Sequence, residues 1–431
     1  MTVGNDKKNW LSGYKLETFT LFTKNSGNGG SAFHGQFLFI KYWESVGNTV
    51  RVDIICSDTY GFLDSLPIRS GDAIELVITH PSRKEPFEFV AKKKNRLIIS
   101  EIVGATREAK REMYTLQCVT ESTLSNHTTR CPEKYKGKPS DSAKSILKKV
   151  LKVDKNRIGT LKEGTWHDSS NKYDFMGNFI RPIELCNRLA AKSVSKKTSK
   201  SSASGGSMGF VFFENETDGY NFISIDEVMG SKPKYIEYQL QSFKNPLKPD
   251  NYTITSLPSF SSSHDIIKKL RIGQYKSANW YFDIMKRTPH FVEFDYSSIK
   301  DTAEKDKSVP HDISEKYSRI LLNVLDLGAI SKKDTPVPDS ETIAWRQAHS
   351  AARYQSLFSS VLDITVPMNF NLKVGTMIEI TVPKLNTEDT KPGNSPYSGK
   401  WMIAKLSHEF GHPTGDFTGL SLIRDSFSAN A

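Results

Sequence analysis

Thr49-Val50-Arg51-Val52-Asp53-Ile54-Ile55-Cys56 places Val50, Val52, Ile54 and Cys56 on one side of a period-two alternation and Arg51 and Asp53 on the other. That is the signature of a half-buried β-strand, because successive side chains of extended backbone point to opposite faces. The same reading extends outward. Tyr14–Phe22, Phe33–Trp43, Asp72–Thr79, Phe87–Ala91, Arg96–Val103 and Met113–Val119 are further short strands. Turn-forming residues separate them, in Asn25–Gly30, at Gly47-Asn48 and at Gly71-Asp72. Seven short strands with this punctuation predict a closed sheet, a barrel, within residues 1–122.

The chain has 431 residues, too many for one ordinary core, so three or four domains are expected. Its 24 Phe and 16 Tyr supply core material despite an apolar fraction of 37%. Met1–Gly13 holds Lys7, Lys8 and Trp10 but no apolar run of signal-peptide type. No stretch reaches the length of a membrane span; Phe37–Trp43 has strand length. Cys56, Cys118, Cys131 and Cys186 form no Cys-x-x-Cys pair and are too few for a disulfide scaffold, which points to synthesis in a reducing cytoplasm. Cys56 and Cys118 lie on apolar faces and are expected as buried free thiols. The net charge of +11 resides largely in Lys92-Lys93-Lys94, Lys148-Lys149, Lys196-Lys197 and Lys332-Lys333. These groups lack interleaved aromatics and read as solvated surface.

Beyond residue 122 the pattern changes. Pro139-Ser140-Asp141 opens a helix with Ile146, Leu147, Val150 and Leu151 at helical spacing, and Pro182 opens a second with Ile183, Cys186, Leu189 and Ala190 on one face. Lys192–Gly206 is basic and of low complexity and is expected as a mobile loop ending a helical or mixed domain, 123–206. Two apolar runs from Gly209 to Asp226, joined around Asp218-Gly219, form the strongest hairpin signal in the chain. Residues 243–342 are expected as an inserted mixed domain, with helical faces at Asp265–Leu270 and Tyr317–Leu325 and a charged loop at Lys300–Lys307. A helix over Asp339–Phe358 then precedes strands Leu362–Val366, Thr376–Val382, Lys400–Ser407 and Phe417–Ile423. Residues 207–242 plus 343–431 thereby form a second β-domain interrupted by the insertion.

His408-Glu409-Phe410-Gly411-His412 matches the zinc-peptidase spacing, in which one turn of helix aims two imidazoles at one metal. Gly411, Pro413 and Thr414-Gly415-Asp416 argue against a helix, and Trp401–Leu406 alternates as a strand, so a hairpin turn is expected. Glu163 and Asp168 flank Trp166-His167 in a polar loop and read as solvated carboxylates. There is no Walker-type phosphate loop. No catalytic, metal, cofactor or binding residue is assigned.

Three stretches taken together resemble the baseplate central hub protein of contractile-tailed phages of the large myovirus type. They are Arg69-Ser-Gly-Asp72 with Ala73–Ile78; Phe179-Ile-Arg-Pro182, the basic linker, Gly209–Asn215 and Tyr220–Asp226; and Val366–Gly375, Gly399–His408 and Thr418–Ser426. The resemblance implies an α+β, multidomain chain with two tail-tube-like antiparallel β-barrels and smaller α/β insert domains. It further implies a non-enzymatic virion protein of the tail baseplate, assembled in the host cytoplasm as a homotrimer. The implied partners are a trimeric tail spike protein, tail tube or tube-initiator proteins and baseplate wedge proteins. Double-stranded DNA would pass through a channel without specific binding, and no cofactor is implied. A trimer with internal duplication presents quasi-sixfold contacts on one side and threefold contacts on the other. Free passage of DNA requires the basic excess to lie on outer faces or loops, away from a channel wall.

Two rival readings are a zinc-dependent tail-associated peptidase, resting on His408 and His412, and a nonspecific nucleic-acid-binding module, resting on the +11 charge and Lys196–Lys200.

Overall fold

The computed structural model describes residues 13–24, 29–33, 37–195, 208–231, 235–240, 252–256, 259–262, 266–273, 275–284, 287–295, 316–324, 340–358, 360–382, 397–411 and 415–424. The first part holds β1 (Lys15–Phe22), β2 (Ser31–Ala32), β3 (Phe37–Ser45), β4 (Arg51–Asp58), β5 (Ala73–His80), β6 (Arg83–Phe89), β7 (Leu97–Glu108) and β8 (Arg111–Thr120). A helical part follows, with β9 (Lys134–Tyr135), α1 (Pro139–Ser145), β10 (Phe175–Met176) and α2 (Pro182–Ala191). Next come β11 (Phe210–Asn215), β12 (Gly219–Ser224), β13 (Tyr235–Leu240), β14 (Thr253–Ile254), β15 (Ser259–Ser262), α3 (Ile266–Ile272), β16 (Lys276–Asp283), β17 (Thr288–Asp295) and β18 (Arg319–Val324). The chain ends in α4 (Ser340–Leu357), β19 (Ser360–Pro367), β20 (Met377–Thr381), β21 (Gly399–Phe410) and β22 (Phe417–Arg424).

Alternation along the strands translates into faces. In β4, Val52, Ile54, Cys56 and Asp58 are buried while Arg51 is exposed. Helices α1 and α2 both start with proline at a first-turn position, where its missing N–H has no intrahelical role. Ile183, Cys186, Leu189 and Ala190 of α2 are buried, as their spacing requires.

Among the described residues, fifteen strands join in one sheet, and neither half closes on itself as a barrel. The two separate barrels expected from the strand pattern are replaced by a shared sheet for a backbone reason. Strand β21 runs for 12 residues and β20 for only 5. Beyond Ile403, β21 therefore has backbone groups that β20 cannot satisfy, and β3 of the first half takes them, pairing Lys405–Phe410 with Ser45–Ile40.

The two halves repeat one strand order. In the first, β5, β7, β8, β4 and β3 are successive antiparallel neighbours; in the second, β20, β21, β22, β19 and β15 are. Hydrogen bonds repeat in register. Gly71 N–H donates to Ile99 O and Ile99 N–H to Asp72 O; likewise Gly375 N–H donates to Ile403 O and Ile403 N–H to Thr376 O. Both glycines sit at positive φ. Even the irregularity between Ile99 and Glu101 recurs between Ile403 and Lys405. The halves differ at the next strand, since β1 lies antiparallel to β5 whereas β13 lies parallel to β20.

The hairpin β11–β12 forms at the expected place, and both of its strands are buried along their whole length. Val211, Phe213 and Ile223 join the core shared by the two halves, and Phe210, Phe212, Tyr220 and Phe222 join a second core with α1, α2 and Trp166. It is the layer between them. In the expected insertion, the helical face expected over Tyr317–Leu325 falls instead on a strand: Arg319–Val324 is β18, parallel to β16. The short run Ile320-Leu321-Leu322 suits helix or strand alike, and pairing along β16 decides it. Lys192–Ser195 is also no loose lead-in, since Ser193, Val194 and Ser195 are buried and Val194 bridges to Met208. The remainder of that basic segment, Lys196–Gly206, lies outside the described residues, as do Lys300–Lys307, Lys332-Lys333 and His412. No helix among the described residues is long and apolar enough to cross a membrane.

Candidate functional site

The zinc-like motif falls on a strand. His408 and Glu409 are consecutive residues of β21, which alternation sends to opposite faces, and Gly411 follows with φ +73. His408 is 2% exposed, stacks on Tyr42 with centroids 5.8 Å apart, meets Phe370 edge-on at 5.2 Å and shares a 2.9 Å hydrogen bond between Nδ1 and Thr418 Oγ1. Burial pushes its pKa down to about 3, with Arg83 and His80 adding to the effect. Glu409 pairs with Lys41 at 2.5 Å. Among the described residues no group of three His, Cys, Asp or Glu could hold a metal.

Of the two carboxylates that flank Trp166-His167, Asp168 is partly buried. Glu163 is an exposed loop residue accepting from Thr160 Oγ1 at 3.0 Å. Between them Trp166 is fully buried against Phe222, and His167 Nδ1 accepts the Ser224 N–H at 3.0 Å. Of the basic groups, Lys92, Lys93, Lys94, Lys148 and Lys149 are exposed, and Lys93 and Lys94 are partnered by Glu88 and Asp154. All four cysteines are buried free thiols.

Among the described residues, a dense buried polar constellation lies at the joint between the two sheet halves. Tyr42 Oη donates to the Glu44 carboxylate, whose other oxygen accepts the Val374 N–H at 3.1 Å. Tyr42 Oη in turn accepts the Glu216 N–H at 3.0 Å. Arg83 presents both terminal nitrogens to Glu216 at 3.0 Å, and Arg157 reaches Glu214 at 3.3 Å. Glu214 also accepts from Thr120 Oγ1 at 3.0 Å and Val50 N–H at 3.3 Å. Burial raises the Glu44 pKa to about 7 against the pull of its hydrogen bonds, and burial raises Glu214 too, opposed chiefly by Arg157. The cluster ties β3, β6, the β11–β12 turn and the segment before β20 into one body. Its groups are consumed by one another, so it suits rigid registration of the halves rather than turnover of a substrate. Sequence reading missed it because glutamates in or beside alternating strands look solvent-facing, and nothing local marks Glu44, Glu214 and Glu216 as buried.

Two exposed features fit assembly. One face of the β17–β16–β18 sheet packs on α4, where Tyr281 and Phe294 are buried. The opposite face shows Trp280, Phe282, Phe291, Ile320, Leu322 and Val324 to solvent, Leu322 at 82% exposure. Strand β7 is exposed over nearly all of Ser100–Glu108, because β5 covers only its first residues.

No family model matches the chain, and no curated protein matches it in sequence. Among solved structures, the tail protein from Neisseria meningitidis MC58 aligns with a TM-score of 0.54 at 12% identity, over 96% of this chain and 97% of that one. The 43 kDa tail protein of prophage MuSo2 from Shewanella oneidensis gives 0.49 at 11% identity, over 95% and 97%. A prophage tail protein from Listeria monocytogenes EGD-e gives 0.46 at 9% identity, over 94% of each chain. The chain shares the fold of the Neisseria tail protein along essentially its whole length.

Proposed function

We propose that the chain is a structural subunit of a contractile tail baseplate, the central hub, working as a homotrimer. In this reading it joins the sixfold tail tube to a threefold spike and encloses the channel through which DNA leaves. The observation that carries the proposal is the repeated strand order within one chain, β5-β7-β8-β4-β3 and β20-β21-β22-β19-β15, joined edge to edge by β3 and β21. Three such chains set six similar units in a ring, which matches a sixfold neighbour while keeping threefold symmetry. The shared fold with a tail protein supports the same reading. The two halves act as tube-like units, tail tube or tube-initiator proteins bind the sixfold face of the ring, baseplate wedge proteins bind it as further partners, and the role is mechanical rather than catalytic.

The test is the absolute mass in solution by light scattering across a wide concentration range. A mass near three times 48.5 kDa is expected. A single-chain mass at every concentration, with or without a spike protein, would exclude the hub.

A further inference from the structure

Within one chain, β3 adds to the far half of β21, just beyond the point where β20 ends. The equivalent place on the first half is the far half of β7, just beyond β5, and no described strand occupies it. The strand equivalent to β3 in the second half is β15, which has β19 on one side and no described strand on the other. We propose that β15 of one copy pairs antiparallel with the far half of β7 of the next, as β3 pairs with β21 inside the chain. The sheet then runs unbroken around the ring. This deepens the hub reading and rests on it.

The register follows from the repeat. Residues of β7 and β8 match those of β21 and β22 at a constant spacing: Ile98 opposite Val119 corresponds to Met402 opposite Ile423, and Val103 opposite Thr115 to Ser407 opposite Gly419. Val119 faces Arg51, which faces Trp43; Ile423 faces Val361, which faces Ser261. Trp43 therefore corresponds to Ser261 and Ser407 to Val103. Trp43 and Ser407 are opposite one another in the joint, so Val103 of one copy falls opposite Ser261 of the next.

Burial agrees with this placement. Leu406, within the joint, is 1% exposed, while its counterpart Ile102 is only partly buried and the adjacent Val103 is 38% exposed. An unpaired edge carrying apolar side chains is a template for another strand. Pairing between a β7 edge and a β15 edge is heterologous, the head-to-tail kind that closes rings.

The experiment is oxidative cross-linking of the full-length chain carrying Val103→Cys and Ser261→Cys. The native thiols are all buried and leave a clean background. Trp43→Cys with Ser407→Cys is the control, since it sits at the equivalent register within one chain and should close without raising the denatured mass. Expected for the test pair is loss of most of the monomer band to species of two and three chains, reversed by reductant and absent from either single variant. If the control closes and the native mass is that of a ring, yet the test pair stays reduced, the strand pairing is wrong and the ring stands. If the control closes and the native mass is that of one chain, the ring and the pairing fall together.

Discussion

The Val374 N–H donates to the Glu44 carboxylate at 3.1 Å, so a group on the edge strand of the first half fixes the loop that opens the second. Glu44 is 5% exposed, and burial raises its pKa to about 7 from the usual 4.5. A folded pKa above the unfolded one means that the native state binds the proton more tightly. The resulting stability is fully present below about pH 4.5 and is lost as pH rises through 7, by about 3 kcal/mol in all. Glu44→Gln keeps an acceptor for Val374 and removes the titration. Urea unfolding at pH 5 and pH 8 should show the variant gaining on the parent at the higher pH; parallel pH dependences would refute a protonated Glu44.

His408→Ala is expected to cost about 2–4 kcal/mol, because it empties a site walled by Tyr42, Phe87 and Phe370. Metal analysis of the purified parent should find no stoichiometric zinc. One zinc per chain, lost in this variant, would revive the peptidase reading despite the strand geometry.

Much of the fold was legible because two-sided strands write their faces into the sequence. Val50, Val52, Ile54 and Cys56 are all buried as the alternation requires. The repeat was not legible, since it lives in register and not in residue identity: Ile102 and Leu406, or Trp43 and Ser261, share a place without sharing a side chain. The hairpin's surroundings were hidden for another reason. A strand buried on both faces, such as Phe210–Asn215, opens on a continuous apolar run, Phe210–Phe213, that does not say which layer covers which side. The joint's glutamates were invisible because their partners, Arg83, Arg157 and Val374, are far away in sequence.

Arg353 on α4 and Asp226 after the hairpin form an ion pair with both side chains at most 2% exposed. Removing one partner leaves a buried charge, so Arg353→Ala or Asp226→Ala should each cost about 3–5 kcal/mol. The double variant should cost clearly less than the sum of the two. Additive losses in a double-mutant cycle would show that the pair is not coupled.

The open face of the three-stranded sheet makes a contrasting prediction. Ile320→Lys together with Leu322→Lys changes side chains that are 68% and 82% exposed, so the stability change should stay within about 0.5 kcal/mol per site. Binding of a hydrophobic dye to the native chain should fall, since these two are the most exposed of the apolar side chains on that face. A large loss of stability would mean that the face is covered in the isolated chain.

The equivalent glycines give a test of the joint itself. Gly71 has φ +100 with nothing within 4 Å of where an alanine methyl would sit, whereas at Gly375, φ +78, a Cβ would lie 2.7 Å from both Ile223 Cδ1 and Phe213 Cζ. Each N–H makes the same bond, to Ile99 O or Ile403 O, so backbone strain is common to both sites and amounts to about 1 kcal/mol for alanine. Gly375→Ala adds overpacking against the buried hairpin, roughly a further 1–3 kcal/mol. Denaturant midpoints should therefore rank Gly71→Ala well above Gly375→Ala. Equal midpoints would mean that the hairpin yields freely to the second half, and that the tight three-layer joint is not what holds the repeated units in register.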